Sequence, residues 1–222
     1  MPQLFDNWPD PYERWFQTPI GTLVKTVELE LVLKLLKPRA GEQILDAGCG
    51  SGIFTVPLLE RGSQVTGLDL SLPMLQRART RISGQSFLAA DMSALPFTDG
   101  TFDKVVSITA LEFVENGKRA LAELFRVTRA GGFVVVATLN SLSPWASRRE
   151  DRAKNDRGSI FSQAWFRSPE ELLGLAPVPG QIHTAIHFAK DCDPDLALEI
   201  EQQGQAKALN TGAFLIGCWR KP

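Results

Sequence analysis

Residues 44–55 read Ile-Leu-Asp-Ala-Gly-Cys-Gly-Ser-Gly-Ile-Phe-Thr, with glycines alternating at Gly48, Gly50 and Gly52. An apolar strand that passes through such a turn into a helix leaves backbone N–H groups free at the positive helix end, with no side chain in the way of a ligand. Seventeen residues past Gly52, a second apolar run ends in Asp69. A carboxylate there can accept hydrogen bonds from both hydroxyls of a ribose. Asp91 closes a third run, where it can accept from an adenine amino group or simply form a turn. The chemistry implied is the holding of a nucleotide-type cofactor at the carboxyl ends of parallel strands.

The elements that must position these residues follow from the apolar pattern. Gln43–Ala47, Val65–Leu70, Gln85–Ala90, Phe102–Ile108 and Phe133–Leu139 read as strands. Between them, helical patterns run over Gly21–Lys37, from about Ile53 to Arg61, after Ser71 on the face of Leu75, Ala78 and Ile82, and over Gly117–Thr128 up to Gly131-Gly132. Strands alternating with helices in this way predict a parallel, doubly wound α/β sheet. Farther on, Ser168-Pro169-Glu170-Glu171 carries a cap, a first-turn proline and first-turn acids. Gln181–Ala189 alternates as a strand, with Ile182, Thr184, Ile186 and Phe188 facing inward. Asp195–Leu209 is helical, and Ala213–Trp219 is an apolar strand.

The glycine spacing is D-x-G-x-G-x-G from Asp46, with Ile53 where the dinucleotide fingerprint G-x-G-x-x-G requires glycine. It resembles the first motif of the class I S-adenosylmethionine-dependent methyltransferases. Further segments resemble that family in order and spacing across roughly residues 40–140. They are Ala89-Ala90-Asp91-Met92 with Ala94-Leu95-Pro96-Phe97, then Thr101–Ser107, then Arg129–Val136. The branch most resembled contains the ubiquinone/menaquinone-type C-methyltransferases. The resemblance implies a Rossmann-like sheet with helices on both faces and an antiparallel seventh strand at 213–219. It implies S-adenosylmethionine as cofactor, with S-adenosylhomocysteine as product. The cofactor contacts then fall on Asp46, Ala47, Gly48, Cys49, Gly50 and Gly52 in the first loop. They continue at Asp69, Leu70 and Met74 around the second strand end, at Asp91 and Met92 after the third, and at Thr109 after the fourth.

Residues 1–20 carry Trp8, Tyr12, Trp15 and Phe16 among four prolines. Such a segment is too proline-broken for a long helix and too aromatic to stay in water. It reads as a strap on the core or as a lid over the cofactor, whose sulfonium would meet Tyr12, Trp15 and Phe16. Glu28 serves either as a partner of Lys25 or as a contact for the amino group of the cofactor's methionine part. Residues 140–168 are long for a connection and leave the sheet on the binding side, which suggests a lid or substrate-selecting loop. The charge run Arg148–Arg157 within it reads as a solvated surface or an anion patch.

Methyl transfer demands alignment and exclusion of water more than a dedicated base, so no catalytic triad is expected. Glu112, in the loop after the fourth strand, is the nearest carboxylate to the expected reaction centre; a cap or ion-pair role is the alternative. The loop lacks the Asn-Pro-Pro-Tyr pattern of enzymes that methylate amino groups of DNA bases or glutamine, and a small organic acceptor is the first expectation. A non-catalytic cofactor-binding module is the second.

The 222 residues suit one domain of residues 1–222. The formal net charge of −1 gives no field favouring nucleic acid or an anionic membrane. Three dispersed cysteines, Cys49, Cys192 and Cys218, and the pair His183 and His187 show no metal-ligand spacing. No leader or membrane-spanning run is read, so the expectation is a cytoplasmic protein. Oligomeric state is not legible.

Overall fold

The computed structural model describes residues 3–155 and 159–222. Among them, seven strands form one sheet in the order β3-β2-β1-β4-β5-β7-β6. The strands are β1 Gln43–Ala47, β2 Gln64–Asp69, β3 Ser86–Ala89, β4 Phe102–Ile108, β5 Thr128–Leu139, β6 Gln181–Ala185 and β7 Phe214–Arg220. The first five pair in parallel; β7 lies antiparallel between β5 and β6. The chain winds outward from β1 to β3, then crosses to β4 on the other side of β1. That switch point is where an open parallel sheet gapes at its carboxyl edge.

The helices are α1 Pro9–Trp15, α2 Pro19–Leu36, α3 Thr55–Leu59, α4 Leu72–Arg81, α5 Gly117–Val127, α6 Pro144–Asn155, α7 Pro169–Leu175 and α8 Pro194–Ala206. Capping fixes several of their starts. The Thr18 hydroxyl accepts from Gly21 N, with Pro19 in the first turn. Ser71 caps α4 as its sequence position suggests. Ser168 and Glu171 form a reciprocal capping box at α7. One apolar cluster lies between the sheet and α2, around Val32, Leu36, Ile44 and Phe214. A second, on the opposite face, holds Leu45, Val105, Leu121, Leu124 and Trp219. These strands are buried on both faces, as their unbroken apolar runs require.

Several boundaries differ from the expectation. α5 hands over directly to β5 at Thr128, and Gly131-Gly132 lie inside the strand rather than ending the helix. The Thr128 hydroxyl ties back to Leu124 O at 2.7 Å, so the helix is closed by a side chain and needs no glycine. β6 stops at Ala185 because Ile186 adopts φ 63°, and the alternation read over 181–189 breaks there. Ala185, expected to face outward, is fully buried. His187 thereby leaves the strand, and its Nδ1 faces Glu201 of α8 at 3.1 Å. Residues 140–168 are largely folded: they contain α6, a 3-10 turn at Ile160–Gln163 and a bridge from Asn140 to Arg167. The end of the charge run, with the side chains of 150 and 152–157, lies outside the described residues.

Candidate functional site

β1 delivers the chain into the glycine loop at the switch point. Gly48 has φ 79°, and a Cβ there would lie 2.3 Å from Ala110 Cβ, so the 108–110 segment can approach only a glycine. Gly50 has φ 53° with no protein atom within 4 Å of a would-be Cβ, leaving open space on its outer side. The expectation of free N–H groups holds at Ser51, Ile53, Phe54 and Thr55, which donate to no acceptor among the described residues, and fails at four other positions. Gly48 and Cys49 donate to Leu68 O at 2.6 and 2.9 Å, Gly50 donates to Asp69 Oδ2 at 2.8 Å, and Gly52 donates to Cys49 O. α3 is only five residues long, too short to offer a strong positive end. The loop is a shaped wall whose Gly48, Cys49, Gly50 and Gly52 donors are engaged.

The carboxylates around this wall have donors of their own. Asp46, 1 % exposed, accepts from the Thr55 hydroxyl at 2.6 Å, which ties β1 to α3. Burial pushes its carboxyl up to about 6, and the Thr55 bond partly opposes this. Asp69 accepts from Gly50 N and, at 2.9 Å, from Ser71 N. Burial raises its pKa while these N–H groups pull the other way. Two bonds leave a carboxylate further lone pairs for an outside donor. Asp91 takes Ser93 N and Ser93 Oγ on Oδ1, a turn-forming role that leaves Oδ2 without a bond to the protein.

Between these groups lies a cleft of about 130 Å³. Asp46, Gly48, Cys49, Gly50, Asp69, Leu70, Met74, Asp91, Met92, Thr109 and Tyr12 all line it, as the sequence suggested. Ala47, Gly52, Trp15, Phe16 and Glu28 do not. Ala47 is core of β1, and Gly52 packs on Ala78 and Ile82 behind the loop. α1 explains the aromatics, since one helical turn sends successive side chains in different directions. Tyr12 points to the cleft, Phe16 is buried against Phe54, and Trp15 meets Trp145 edge to face. Eight lining residues were missed: Phe54, Leu68, Ala90, Ile108, Ala110 and Val114, and the pair Phe5 and Phe113, whose rings stack edge-on with centroids 4.8 Å apart. The only signal for that pair is apolar character in segments with no regular period.

The strap is clamped to α4. Arg77 pairs with Asp10 and Glu13, Arg81 pairs with Glu13, and the Ser71 hydroxyl donates to Asp6. A more open groove on its outer side, between α1 and α4, is lined mainly by these ion-pairing residues and prolines.

Beyond Tyr12 lie two buried carboxyls and a half-buried arginine. Glu28 on α2 is 8 % exposed and Glu112, in the 3-10 turn Leu111–Phe113, is 0 % exposed. Glu112 Oε2 accepts from Thr138 Oγ1 at 3.1 Å; Oε1 is buried without a partner. Arg149 of α6 has its guanidinium 5.2 Å from both the Trp145 and Phe161 ring centroids, and its Nη1 is also buried without a partner. Burial pushes Glu28 up to about 8 and Glu112 up to about 7, and brings Arg149 down to about 10; in each case the opposite charge resists. The Tyr12 hydroxyl is raised, first by burial and then by Glu28, with Thr109 pulling the other way. Among the described residues no group of three or more His, Cys, Asp or Glu could hold a metal ion, and no helix is long and apolar enough to cross a membrane.

Residues 45–136 match a family described as a methyltransferase domain. That match takes in β2, β3 and β4, the glycine loop and most of β1 and β5, in a Rossmann-like sheet that carries the antiparallel strand β7. Among curated relatives, a malonyl-[acyl-carrier protein] O-methyltransferase of Salmonella typhimurium is 46% identical over 110 residues, covering 50% of this chain and 44% of that one. A demethylmenaquinone methyltransferase of Renibacterium salmoninarum is 40% identical over 107 residues, covering 48% and 45%, in keeping with the resemblance read from the motifs. The matches thus span less than half the length of these two relatives. Over its full length the fold resembles a SAM-dependent methyltransferase of Thermotoga maritima described as a possible histamine N-methyltransferase, with TM-score 0.77, 24% identity and 99% of each chain covered.

Proposed function

We propose that the protein transfers a methyl group from S-adenosylmethionine to a small organic acceptor. The observation that carries this reading is the cleft itself: a glycine wall whose Gly48, Cys49 and Gly50 N–H groups turn inward to Leu68 and Asp69, faced by carboxylates that keep spare lone pairs. A pyrophosphate cofactor needs free N–H donors at such a loop. A nucleoside without phosphates needs hydroxyl and amino acceptors instead, which Asp69 and Asp91 supply. Open space beside Gly50 fits a ligand laid along the backbone.

In this reading Asp69 holds the ribose hydroxyls, and Asp91 with Met92 takes the adenine end. Met74 and Leu70 form the apolar floor, and Phe5 and Tyr12 cover the top. When bound, S-adenosylmethionine supplies a methyl group on a sulfonium, a carbon centre that needs no further activation. The chain's part is alignment and dryness, worth up to ~7–11 kcal/mol where reactants are held in line. At about 130 Å³ the cleft is narrower than the roughly 300 Å³ at which small-molecule sites begin. Entry of the cofactor therefore requires the strap to lift.

The described part of residues 141–168 carries features of both readings, catalysis and a non-catalytic binding module. Trp145 and Ile160 are buried, and Trp145 meets Trp15 of the strap edge to face, while Leu142 and Trp165 are exposed. The acceptor types named for the relatives, a malonyl carrier thioester, a demethylmenaquinone and histamine, differ too widely to be carried over as one substrate. Calorimetric titration with S-adenosylhomocysteine and with NAD tests the reading. One-to-one binding of S-adenosylhomocysteine with no NAD binding is expected; NAD binding in its place would overturn it.

A further inference from the structure

Two chains of contact run from the strap to the glycine loop, and they pass through opposite ends of α4. The first starts at Asp6. Its Oδ2 accepts from Gln3 N at 2.8 Å, so a turn of the strap itself orients the carboxylate. Its Oδ1 accepts from the Ser71 hydroxyl at 2.8 Å. Ser71, 1 % exposed, is the N-cap of α4, and its backbone N–H donates to Asp69 Oδ1 at 2.9 Å. The other Asp69 oxygen accepts from Gly50 N at 2.8 Å.

The second chain starts at Glu13 of α1, whose Oε1 accepts from Arg81 Nη2 in the last turn of α4. The Nε–H of the same guanidinium donates to Ser51 O at 3.0 Å. Both relays thus end on neighbouring residues, one on the N–H of Gly50 and one on the carbonyl of Ser51. Gly50 is where the loop takes φ 53° and has open space on its outer side. Neither outer contact is needed to build α4. A serine caps a helix by accepting a hydrogen bond, here from Met74 N, and need not give its own proton to a strap. An arginine in a last turn suits the helix dipole without reaching across to a loop.

Resting on the assignment of Asp69 to the ribose hydroxyls, we propose that Asp6 and Glu13 are positioning residues for the cofactor. Through Ser71 and Arg81, the seated strap sets the Asp69 carboxylate and the Gly50–Ser51 backbone in the geometry that binds it. A serine hydroxyl has a single proton, and Ser71 gives it to Asp6. When the strap lifts, that buried hydroxyl loses its acceptor and Arg81 loses its charge partner, while both keep their contacts to the site. The two ends of α4 are then free to shift, and Asp69 and the loop shift with them. The cofactor enters a loosened site, and reseating the strap tightens that site around it. Such coupling is reciprocal, so bound cofactor holds the strap down by the same factor.

Calorimetric titration of the full chain with S-adenosylhomocysteine tests the two relays. Asp6→Ala and Glu13→Ala are each expected to weaken binding about three- to tenfold, the loss of one charge-assisted hydrogen bond passed on in part. Asp6→Asn keeps an oxygen for the Ser71 hydroxyl and should return the affinity to within about twofold of the parent. Once Ser71→Ala has removed the hydroxyl, adding Asp6→Ala should change the affinity by less than about twofold, because the two act through one contact. Arg77 supplies the contrast. Among the described residues its side chain bonds only Asp10 and Glu13, so Arg77→Ala loosens the strap and leaves both relays to the loop in place. Its effect on affinity should stay below about twofold, as for an exposed ion pair. Parent-like affinity in both alanine variants, no recovery in Asp6→Asn, additive effects of Asp6→Ala and Ser71→Ala, or an equal loss in Arg77→Ala would each overturn the inference. A parent protein that does not bind S-adenosylhomocysteine would overturn the cofactor reading itself, and the inference with it.

Discussion

Two carboxylate-bearing regions meet at Tyr12, and they are built in opposite ways. On the glycine-loop side each acid has a donor: Asp46 has Thr55, Asp69 has Gly50 and Ser71, and Asp91 has Ser93. On the far side Glu28 and Glu112 face Arg149 with unpartnered atoms between them. The first region is rigid before any ligand arrives, because backbone geometry and short hydrogen bonds fix it. The second is electrostatically unfinished. The first region is built from turns and strand ends close together in the chain, the second from side chains of elements far apart in it.

The largest expected effect breaks the rigid side. Gly48→Val places a branched side chain where even a Cβ would lie 2.3 Å from Ala110 Cβ, in a left-handed backbone conformation. Binding of S-adenosylhomocysteine should vanish and the melting temperature should fall. Gly50→Val sharpens the point, since nothing in the protein crowds that position. Any loss of ligand-induced stabilisation there reports strain in the loop or the ligand's own close approach. Retained stabilisation would contradict both.

Asp69→Ala comes next. Losing hydrogen bonds to a charged acceptor costs ~1.5–3 kcal/mol each, so S-adenosylhomocysteine affinity should drop at least about tenfold. Calorimetry on the variant gives the answer, and parent-like affinity would remove Asp69 from the ribose site.

The unfinished side should show itself in the pH dependence of stability. Glu112 is raised from 4.5 to about 7, and Glu28 to about 8, chiefly by burial. An acid raised in the fold holds more protons folded than unfolded. Its favourable contribution is therefore complete below pH 4.5 and is lost as pH rises through about 7 to 8. Glu112→Gln removes one such group. It should stabilise the ligand-free protein by on the order of 2–3 kcal/mol at pH 8.5 relative to the parent, and by much less at pH 5. Denaturant melts at the two pH values check this, and equal differences at both would mean Glu112 is not held in an apolar setting.

The smallest effect concerns the strap. Arg77→Ala removes two solvent-exposed ion pairs, to Asp10 and Glu13, each worth about 0–1 kcal/mol. Global stability should scarcely change, while hydrogen exchange in residues 5–16 should quicken. Unaltered exchange there would mean that aromatic packing alone holds the strap.

The same contrast explains what was legible in the sequence. β1, β4, β7 and the ends of α4 and α7 follow from local rules: apolar runs, the Ser71 cap, the Ser168–Glu171 box. So do Asp46, Gly48, Gly50, Asp69 and Asp91, because strand ends and glycine spacing are read within a few residues. Other features depend on contacts remote in sequence. Ile186 takes a left-handed turn and ends β6, which no period reveals. The Gly48, Cys49 and Gly50 N–H groups are claimed by Leu68 and Asp69, about twenty residues on. Glu28, Glu112 and Arg149 come from three separate stretches of the chain; Glu28 and Glu112 stood out in the sequence, Glu28 for a cofactor contact that the cleft lining does not include. Arg149 lay hidden in a run of exposed-looking charges; its one cue was the aromatic pair Trp145 and Phe161 around it.

Hydrogen exchange with and without saturating S-adenosylhomocysteine tests most directly whether the cofactor lies in the cleft beneath the strap. Protection is expected to rise in residues 5–16 and around Leu68–Leu70 and Asp91–Met92, with β6 unchanged. Exchange that is the same in all three segments while calorimetry shows the ligand bound would place the cofactor elsewhere and contradict the assignment.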